Sequence, residues 1–158
     1  TNKKNGFTLI ELIMVMIILG IMAAVAIPRY LETIQKSEIA SEDAVVNNIV
    51  VALENYAQNK MLSEGRRYWP TNPFDALVTK PQSYSLDGTP PDEDNEWTFV
   101  EDESDGTATG YISHQRADNS RHQWSYNRGI NSGTDNDVTG TLYERSDLGT
   151  SGSKILFK

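Results

Sequence analysis

The sequence predicts an α+β protein in which a long N-terminal helix, apolar in its first half and amphipathic in its second, packs on a C-terminal antiparallel sheet. Two patterns lead to this prediction. In the first third of the chain, apolar side chains form one continuous run and then recur every three or four residues, which is the period of a helix. After residue 95, apolar and polar side chains alternate over short segments separated by turn residues, which is the period of strands.

The composition argues against several classes of function. The 158 residues have a net charge of −8 and no basic patch, so we expect no specific nucleic-acid partner. The chain contains no Cys, which excludes disulfide bonds and Cys-based metal sites or nucleophiles. The two His residues have no metal-ligand spacing and the common catalytic motifs do not occur, so we expect that the protein is not an enzyme.

The first element is an apolar run from Phe7 to Ile27, in which Glu11 is the only charged residue. A helix of these 21 residues spans roughly 30 Å, the thickness of the hydrocarbon core of a membrane. Lys3 and Lys4 precede the run, so the positive-inside rule keeps the short N-terminus in the cytoplasm and exports the rest of the chain. A charge at mid-membrane costs roughly 2.5–3.5 kcal/mol, so Glu11 needs an explanation.

Three interpretations of this run compete. A secretory signal peptide would have a shorter apolar core, although the segment "AAVAIP" offers a small-residue cleavage site. A plain single-span anchor explains the length of the run but not its acid. The third interpretation treats the run as a helix that leaves the membrane and packs against copies of itself.

The two ends of the run carry a family resemblance. The segment "GFTLIE" at Gly6–Glu11, the aliphatic residues after it and the "AIP" that ends at Pro28 resemble the class III leader and N-terminal helix of type IV pilins and the related pseudopilins. The resemblance implies the pilin fold, cleavage by a prepilin peptidase between Gly6 and Phe7, and N-methylation of Phe7. The implied order is a leader, a filament-core helix, an amphipathic helix and a globular loop and sheet region, over residues 1–6, 7–28, 29–64 and 65–158.

The same resemblance implies assembly roles for residues of the helix. The carboxylate of Glu11 would pair with the free α-amine of Phe7 on a neighbouring subunit, which neutralises both charges and sets the register. The alternative is a pair between Glu11 and its own N-terminus. We further expect the helix to stretch or lose order between Gly20 and Pro28 on assembly, and the alternative is a modest kink at Pro28.

From Arg29 to about Ser63 the pattern predicts an amphipathic helix that ends at Gly65. Its charged and amide side chains, including those of Glu42 and Asp43, are mostly expected on other faces than the apolar stripe. A helix this long needs partners along its length, and we expect its second half to pack against a sheet of the same chain. The predicted stripe comprises Leu31, Ile34, Val45, Ile49, Leu53, Tyr56 and Ala57.

An ordered loop is expected over Arg66–Pro81, with a short helical turn at Phe74–Val78. Its "DALVTKP" segment resembles the corresponding region of the major pseudopilin of type II secretion systems. Short spacings then favour an antiparallel meander. The predicted strands are Glu96–Asp102, Thr109–Arg116, His122–Asn127, Val138–Glu144 and Lys154–Lys158. The aromatic residues expected to cover the helix stripe are Trp97, Phe99, Tyr111, Trp124 and Tyr126.

Two acidic segments raise the question of a bound cation. Asp92–Asp105 contains eight acidic residues and no Lys or Arg, and we expect a solvated loop or sheet edge there. The segment "DNDVTG" matches the first half of an EF-hand loop, so Asp135, Asp137 and Thr139 are candidate calcium ligands. The resemblance adds support, because major type II pseudopilins carry calcium in a C-terminal loop. Ser146 stands where the loop requires a bidentate Glu, and an Asx-rich turn is the alternative.

The expected function is assembly rather than catalysis. The resemblance implies a structural subunit that polymerises with identical copies into an extracellular filament like a type IV pilus. It also implies a single-pass precursor in the inner membrane with a cytoplasmic N-terminus. The implied partners are a prepilin peptidase, an inner-membrane platform protein and an assembly ATPase. The alternatives are the major pseudopilin of a type II secretion system, in a periplasmic pseudopilus, and a minor or tip pilin that acts as an adhesin.

Overall fold

The computed structural model describes residues 6–102, 109–130, 139–148 and 155–157, and the fold is given for these. A 56-residue helix, α1, begins at Leu9, continues through Pro28 and ends at Glu64. It ends where the sequence predicts, because Gly65 has a φ of +73°, a left-handed conformation that glycine adopts without strain. The amide of Gly65 donates to the carbonyl of Met61 at 3.0 Å and closes the last turn.

The chain divides into two compact units, residues 1–41 and residues 42–158. In the described part of the first unit, the large apolar side chains from Phe7 to Leu31 are all at least 42% exposed. Leu31 was expected in a buried stripe, and it is 54% exposed instead. By length and composition, α1 contains a segment that could cross a membrane. The first unit therefore has an apolar surface that its own side chains leave exposed.

The described part of the second unit contains the end of α1, a short 3₁₀ helix at Pro73–Ala76 and an antiparallel sheet. Its strands are β1 Trp97–Asp102, β2 Thr109–Gln115, β3 Arg121–Asn127, β4 Thr141–Tyr143, β5 Ser146–Asp147 and β6 Ile155–Phe157. Their order is β1-β2-β3-β4-β6, and β5 pairs with β3 as well. The predicted α+β class is confirmed. The strands that the sequence predicts are present, with bounds that differ by at most three residues, and β5 is an addition.

The core of the second unit forms where the end of α1 packs against one face of the sheet. Its side chains are at most 7% exposed. They belong to Val46, Ile49, Leu53 and Ala57 of the helix, to Trp69 and Phe74 of the loop, and to Trp97, Phe99, Ile112, Trp124, Tyr126 and Leu142 of the sheet. Four of the five aromatic residues expected to cover the helix are therefore in place, and the fully buried Val46 joins the predicted stripe.

Two expectations about the helix and sheet faces are wrong. Tyr111 pairs with Val100 and Ser125, one residue out of phase with the buried Ile112, so its side chain lies on the outer face of the sheet and not against the helix. Glu42 was expected, like most of the charged residues of the helix, on a face other than the apolar stripe, and its side chain is completely buried. Both corrections change where the polar chemistry of this protein is found.

Candidate functional site

Glu11 and Thr8 together close the N-terminus of α1. The amide and the hydroxyl of Thr8 donate to Oε2 of Glu11 at 2.9 and 2.7 Å. In return, the amide of Glu11 donates to the hydroxyl of Thr8 at 3.3 Å. This reciprocal arrangement of Thr with a Glu three residues later is a capping box, which satisfies amides that the first turn of a helix leaves without intrahelical partners.

The capping box is a role for Glu11 that the sequence-based interpretations did not include. The signal was present, because Thr and Glu stand three residues apart at the start of an apolar run. The box occupies only Oε2, and Oε1 accepts no hydrogen bond from the residues that the structure describes. A carboxylate oxygen can accept further hydrogen bonds, so Oε1 remains available to a donor from another chain.

The other predicted processing and assembly residues lie along the same helix or just before it. Gly6 and Phe7 precede α1 and are exposed, the side chain of Phe7 by 84%. Gly20 lies inside α1, and a Cβ added there would meet nothing within 4 Å. Pro28 also lies inside α1 without ending it. Phe7 therefore lies four residues before Glu11 in the chain, whereas Gly20 and Pro28 lie roughly 14 and 26 Å beyond Glu11 along the helix axis.

Most of the predicted calcium loop lies outside the described residues. Asp135 and Asp137 belong to that undescribed part, and Thr139 is described and exposed. In the ranges 6–102, 109–130, 139–148 and 155–157, no group of three or more His, Asp or Glu side chains is arranged to hold a metal ion. Calcium binding at Asp135, Asp137 and Thr139 stays a prediction.

A buried charge cluster around Glu42 is the main polar site that the sequence did not reveal. Arg116 donates from Nε to Oε1 of Glu42 at 2.7 Å and from Nη2 to Oε2 at 2.6 Å. Nδ1 of His114 lies 2.9 Å from Oε1, and Nη1 of Arg145 donates to Oε2 at 3.0 Å. The side chains of His114 and Arg116 are less than 10% exposed. We call these four residues the Glu42 cluster.

The Glu42 cluster holds a negative charge inside the second unit. Burial raises the pKa of Glu42, but the hydrogen bonds and charges of Arg116 and His114 outweigh it and lower the pKa to about 2. Arg116 directly follows β2 and Arg145 lies between β4 and β5, so the cluster joins α1 to two parts of the sheet region. The spacing contained a signal, because residue 42 extends the buried series 46, 49, 53 and 57 by one helical turn.

The fold and the N-terminal site define a class of protein, in which an exposed apolar helix begins at a capping box and is followed in sequence by a small sheet domain. Residues 1–27 match the family model of the prokaryotic N-terminal methylation motif. Over 80 residues the chain is 37% identical to type II secretion system core protein G of Aeromonas hydrophila. The matched stretch covers 51% of this chain and 53% of that protein.

Pilins are similar to the chain to a comparable degree. It is 35% identical over 80 residues to type IV major pilin protein PilE1 of Neisseria gonorrhoeae, which covers 51% of this chain and 45% of that protein. It is 41% identical over 66 residues to the type IV major alpha-pilin of Moraxella bovis, which covers 40% and 42% of the two chains. The chain thus spans about half the length of the curated relatives it matches. No solved structure matches it. The resemblance to type IV pilins and type II secretion pseudopilins is confirmed.

Proposed function

We propose that this chain is a structural subunit that polymerises through its N-terminal helix into an extracellular filament like a type IV pilus. The observation that carries the proposal is the exposed apolar surface of α1 between Phe7 and Leu31. Burying one large apolar side chain is worth about 1.5–3 kcal/mol. A helix with this surface is stable in a lipid bilayer or in a bundle of like helices, but not alone in water.

Glu11 favours the bundle over the bilayer as the final environment of this helix. An ionised carboxylate is costly in lipid, where no neighbouring subunit supplies a cation. In a bundle of processed chains, the α-amine of Phe7 on a neighbouring subunit supplies that cation. Oxygen Oε1 is available for the pair while Oε2 stays in the capping box. Because one axial offset between subunits brings the two groups together, the pair also sets the register of the filament.

Processing and assembly follow in a fixed order in this proposal. The precursor sits in the inner membrane with its N-terminus in the cytoplasm, and a prepilin peptidase cleaves between Gly6 and Phe7, both of which are exposed. The new N-terminus is then methylated at Phe7. A platform protein and an assembly ATPase move the subunit out of the membrane. During assembly, the helix stretches between Gly20 and Pro28.

The second candidate function is that of a major pseudopilin in a periplasmic pseudopilus. The relative named type II secretion system core protein G favours it. This relative is 37% identical to the chain over 80 residues, and PilE1 is 35% identical over the same number of residues. A minor or tip pilin that acts as an adhesin is a third candidate. Long surface filaments made of this chain would support the pilus. Loss of secretion when the gene is deleted would support the pseudopilus, and a low-copy position at a filament tip would support the adhesin.

Glu11→Gln is the sharpest test of the assembly site, because Gln can keep the capping box and removes the charge. We expect normal membrane insertion and a filament yield reduced roughly tenfold or more, since losing one partner of a buried charge pair costs about 2–5 kcal/mol. Glu11→Val should assemble at least as poorly. Thr8→Ala is the matched control, because it breaks the capping box and keeps the charge, and it should assemble nearly as well as wild type.

The Glu11→Gln variant and the Thr8→Ala control test different explanations of the acid. Wild-type filament yield from Glu11→Gln, expressed without a wild-type copy, would exclude the charge pair between subunits. A Thr8→Ala variant that assembles as poorly as Glu11→Gln would mean that helix capping alone explains the acid. Membrane insertion is measured by fractionation, and filament yield by shearing followed by electron microscopy and immunoblotting.

A further inference from the structure

Two tyrosines and a serine form a trough on the outer face of the sheet, opposite the core. Tyr111 of β2 pairs directly with Ser125 of β3. On the other side of β3, Tyr126 pairs with Leu142 of β4, and this register puts Tyr143 beside Ser125. The three residues therefore form one row across three adjacent strands, with the smallest side chain in the middle. We call this feature the tyrosine trough.

The dimensions of the tyrosine trough suit a small ring-shaped ligand. The residues of the trough line a cavity of about 530 Å³ that opens to solvent, within the ~300–1,000 Å³ that is usual for small-ligand sites. Neighbouring strands lie about 4.8 Å apart, so the backbones that carry Tyr111 and Tyr143 are separated by roughly 10 Å. This separation leaves room over Ser125 for one flat ring between two aromatic side chains.

The lining of the trough combines aromatic rings with groups that form hydrogen bonds. Besides the tyrosines and Ser125, its polar side chains are those of Asp102, Thr109, Gln123 and Asn127. The described lining contains one carboxylate and no Lys or Arg. Burial, with a smaller contribution from Asp102, raises the pKa of Tyr111, so its hydroxyl stays protonated at neutral pH and can donate a hydrogen bond.

We propose that the tyrosine trough binds a neutral carbohydrate of one or two sugar rings. The C–H face of a sugar ring is apolar and packs on an aromatic face, while its hydroxyls donate and accept hydrogen bonds as the surrounding amides and hydroxyls do. Asp102 repels acidic or phosphorylated ligands, and the described lining offers no cation to hold them. The site is separate from the N-terminal helix, so the inference does not depend on the type of filament.

The test is calorimetric titration of the purified full-length chain, in a detergent without a sugar headgroup, with lactose, maltose, cellobiose and N,N′-diacetylchitobiose. At least one of these probes should bind with a Kd of about 1 mM or tighter. Ser125→Leu fills the floor of the trough and Tyr111→Ala removes one wall, and each should weaken that binding roughly tenfold or more. Tyr30→Ala is the matched control, because Tyr30 is a 67% exposed tyrosine of the first unit, and it should bind as wild type does.

A second measurement needs no variant. The bound sugar should protect Tyr111 and Tyr143, but not Tyr30, from nitration by tetranitromethane, as read by mass spectrometry of peptides. The proposal is overturned if none of the four sugars binds wild type at 10 mM, or if a bound sugar leaves both trough tyrosines as reactive as before. Binding of a proline-rich peptide without binding of any sugar would also overturn it, because paired aromatic rings hold such peptides as well.

Discussion

Replacing Glu42 by Gln should destabilise the second unit by about 3 kcal/mol. The lowering of the Glu42 pKa from 4.5 to about 2 corresponds to this amount, because one pKa unit is worth about 1.4 kcal/mol. Glutamine keeps the length of the side chain, but it cannot balance the charges of Arg116 and Arg145. Its NH₂ group is itself a hydrogen-bond donor, and it would face the N–H donors of the two guanidinium groups. Removing one partner of a buried ion pair costs about 3–5 kcal/mol in general, which agrees with this value.

Thermal unfolding of the full-length chain in detergent, followed by tryptophan fluorescence, measures this change. The ring of Trp97 stacks on the ring of His114 with 4.3 Å between centroids, so the fluorescence responds to the Glu42 cluster. For a domain of this size, the loss should lower Tm by roughly 10 °C. Glu54→Gln is the matched control, because its ion pair with Arg67 is about 40% exposed and is worth about 1 kcal/mol at most.

A Tm for Glu42→Gln within about 2 °C of wild type would refute the reasoning, because the buried charge would then not be needed. The dependence on pH gives a second criterion. The folded pKa of Glu42 lies below its unfolded value, so its stabilisation is fully present above about pH 4.5 and is lost as the pH falls toward 2. Wild type should lose stability over this window, and Glu42→Gln should lose less.

Three further predictions concern the same sheet domain. Gly110→Ala should lower its stability by about 1–3 kcal/mol, because the new Cβ would stand 2.5 Å from the ring of Phe99, and an unchanged Tm would contradict that packing. Tyr126→Phe should cost about 1–3 kcal/mol in denaturant unfolding, because the buried hydroxyl donates to the carbonyl of Pro70 at 2.8 Å; a loss below 0.5 kcal/mol would mean that water replaces it. Burial lowers the pKa of His122, so protonating it should destabilise the fold below about pH 6.5, and His122→Gln should flatten this part of the pH profile; an unaltered profile would exclude that contribution.

The features that the sequence predicted correctly are those that depend on neighbouring residues. The length of α1 follows from continuous local periodicity, and its end at Gly65 follows from the conformational freedom of one residue. The longer strands follow from alternation over six or seven residues. The capping box at Thr8 and Glu11 is local in the same sense, and its spacing could have been recognised.

The features that the sequence did not predict depend on residues far apart in the chain. Alternation shows that Tyr111 and Ile112 face opposite sides of a strand, but not which of them meets the helix. Glu42 is buried because Arg116 and His114 reach it from more than 70 positions away, and nothing near residue 42 announces those partners. The two-residue strand β5 is too short for any periodicity, and it pairs with His122 and Gln123 of β3, a part of that strand with which β4 does not pair.

The position of the Glu42 cluster has a mechanical consequence. Glu42 is the first residue of the second unit, and the fully buried apolar residues of α1 begin one turn later at Val46. Tension along α1 therefore reaches the bidentate ion pair between Glu42 and Arg116 before it reaches these residues. Charge-assisted hydrogen bonds are short and directional, so they hold until they break together. Apolar surfaces can instead slide past each other by small increments. In the proposed filament, the Glu42 cluster would accordingly keep each sheet domain fixed on its helix until the load exceeds a threshold force.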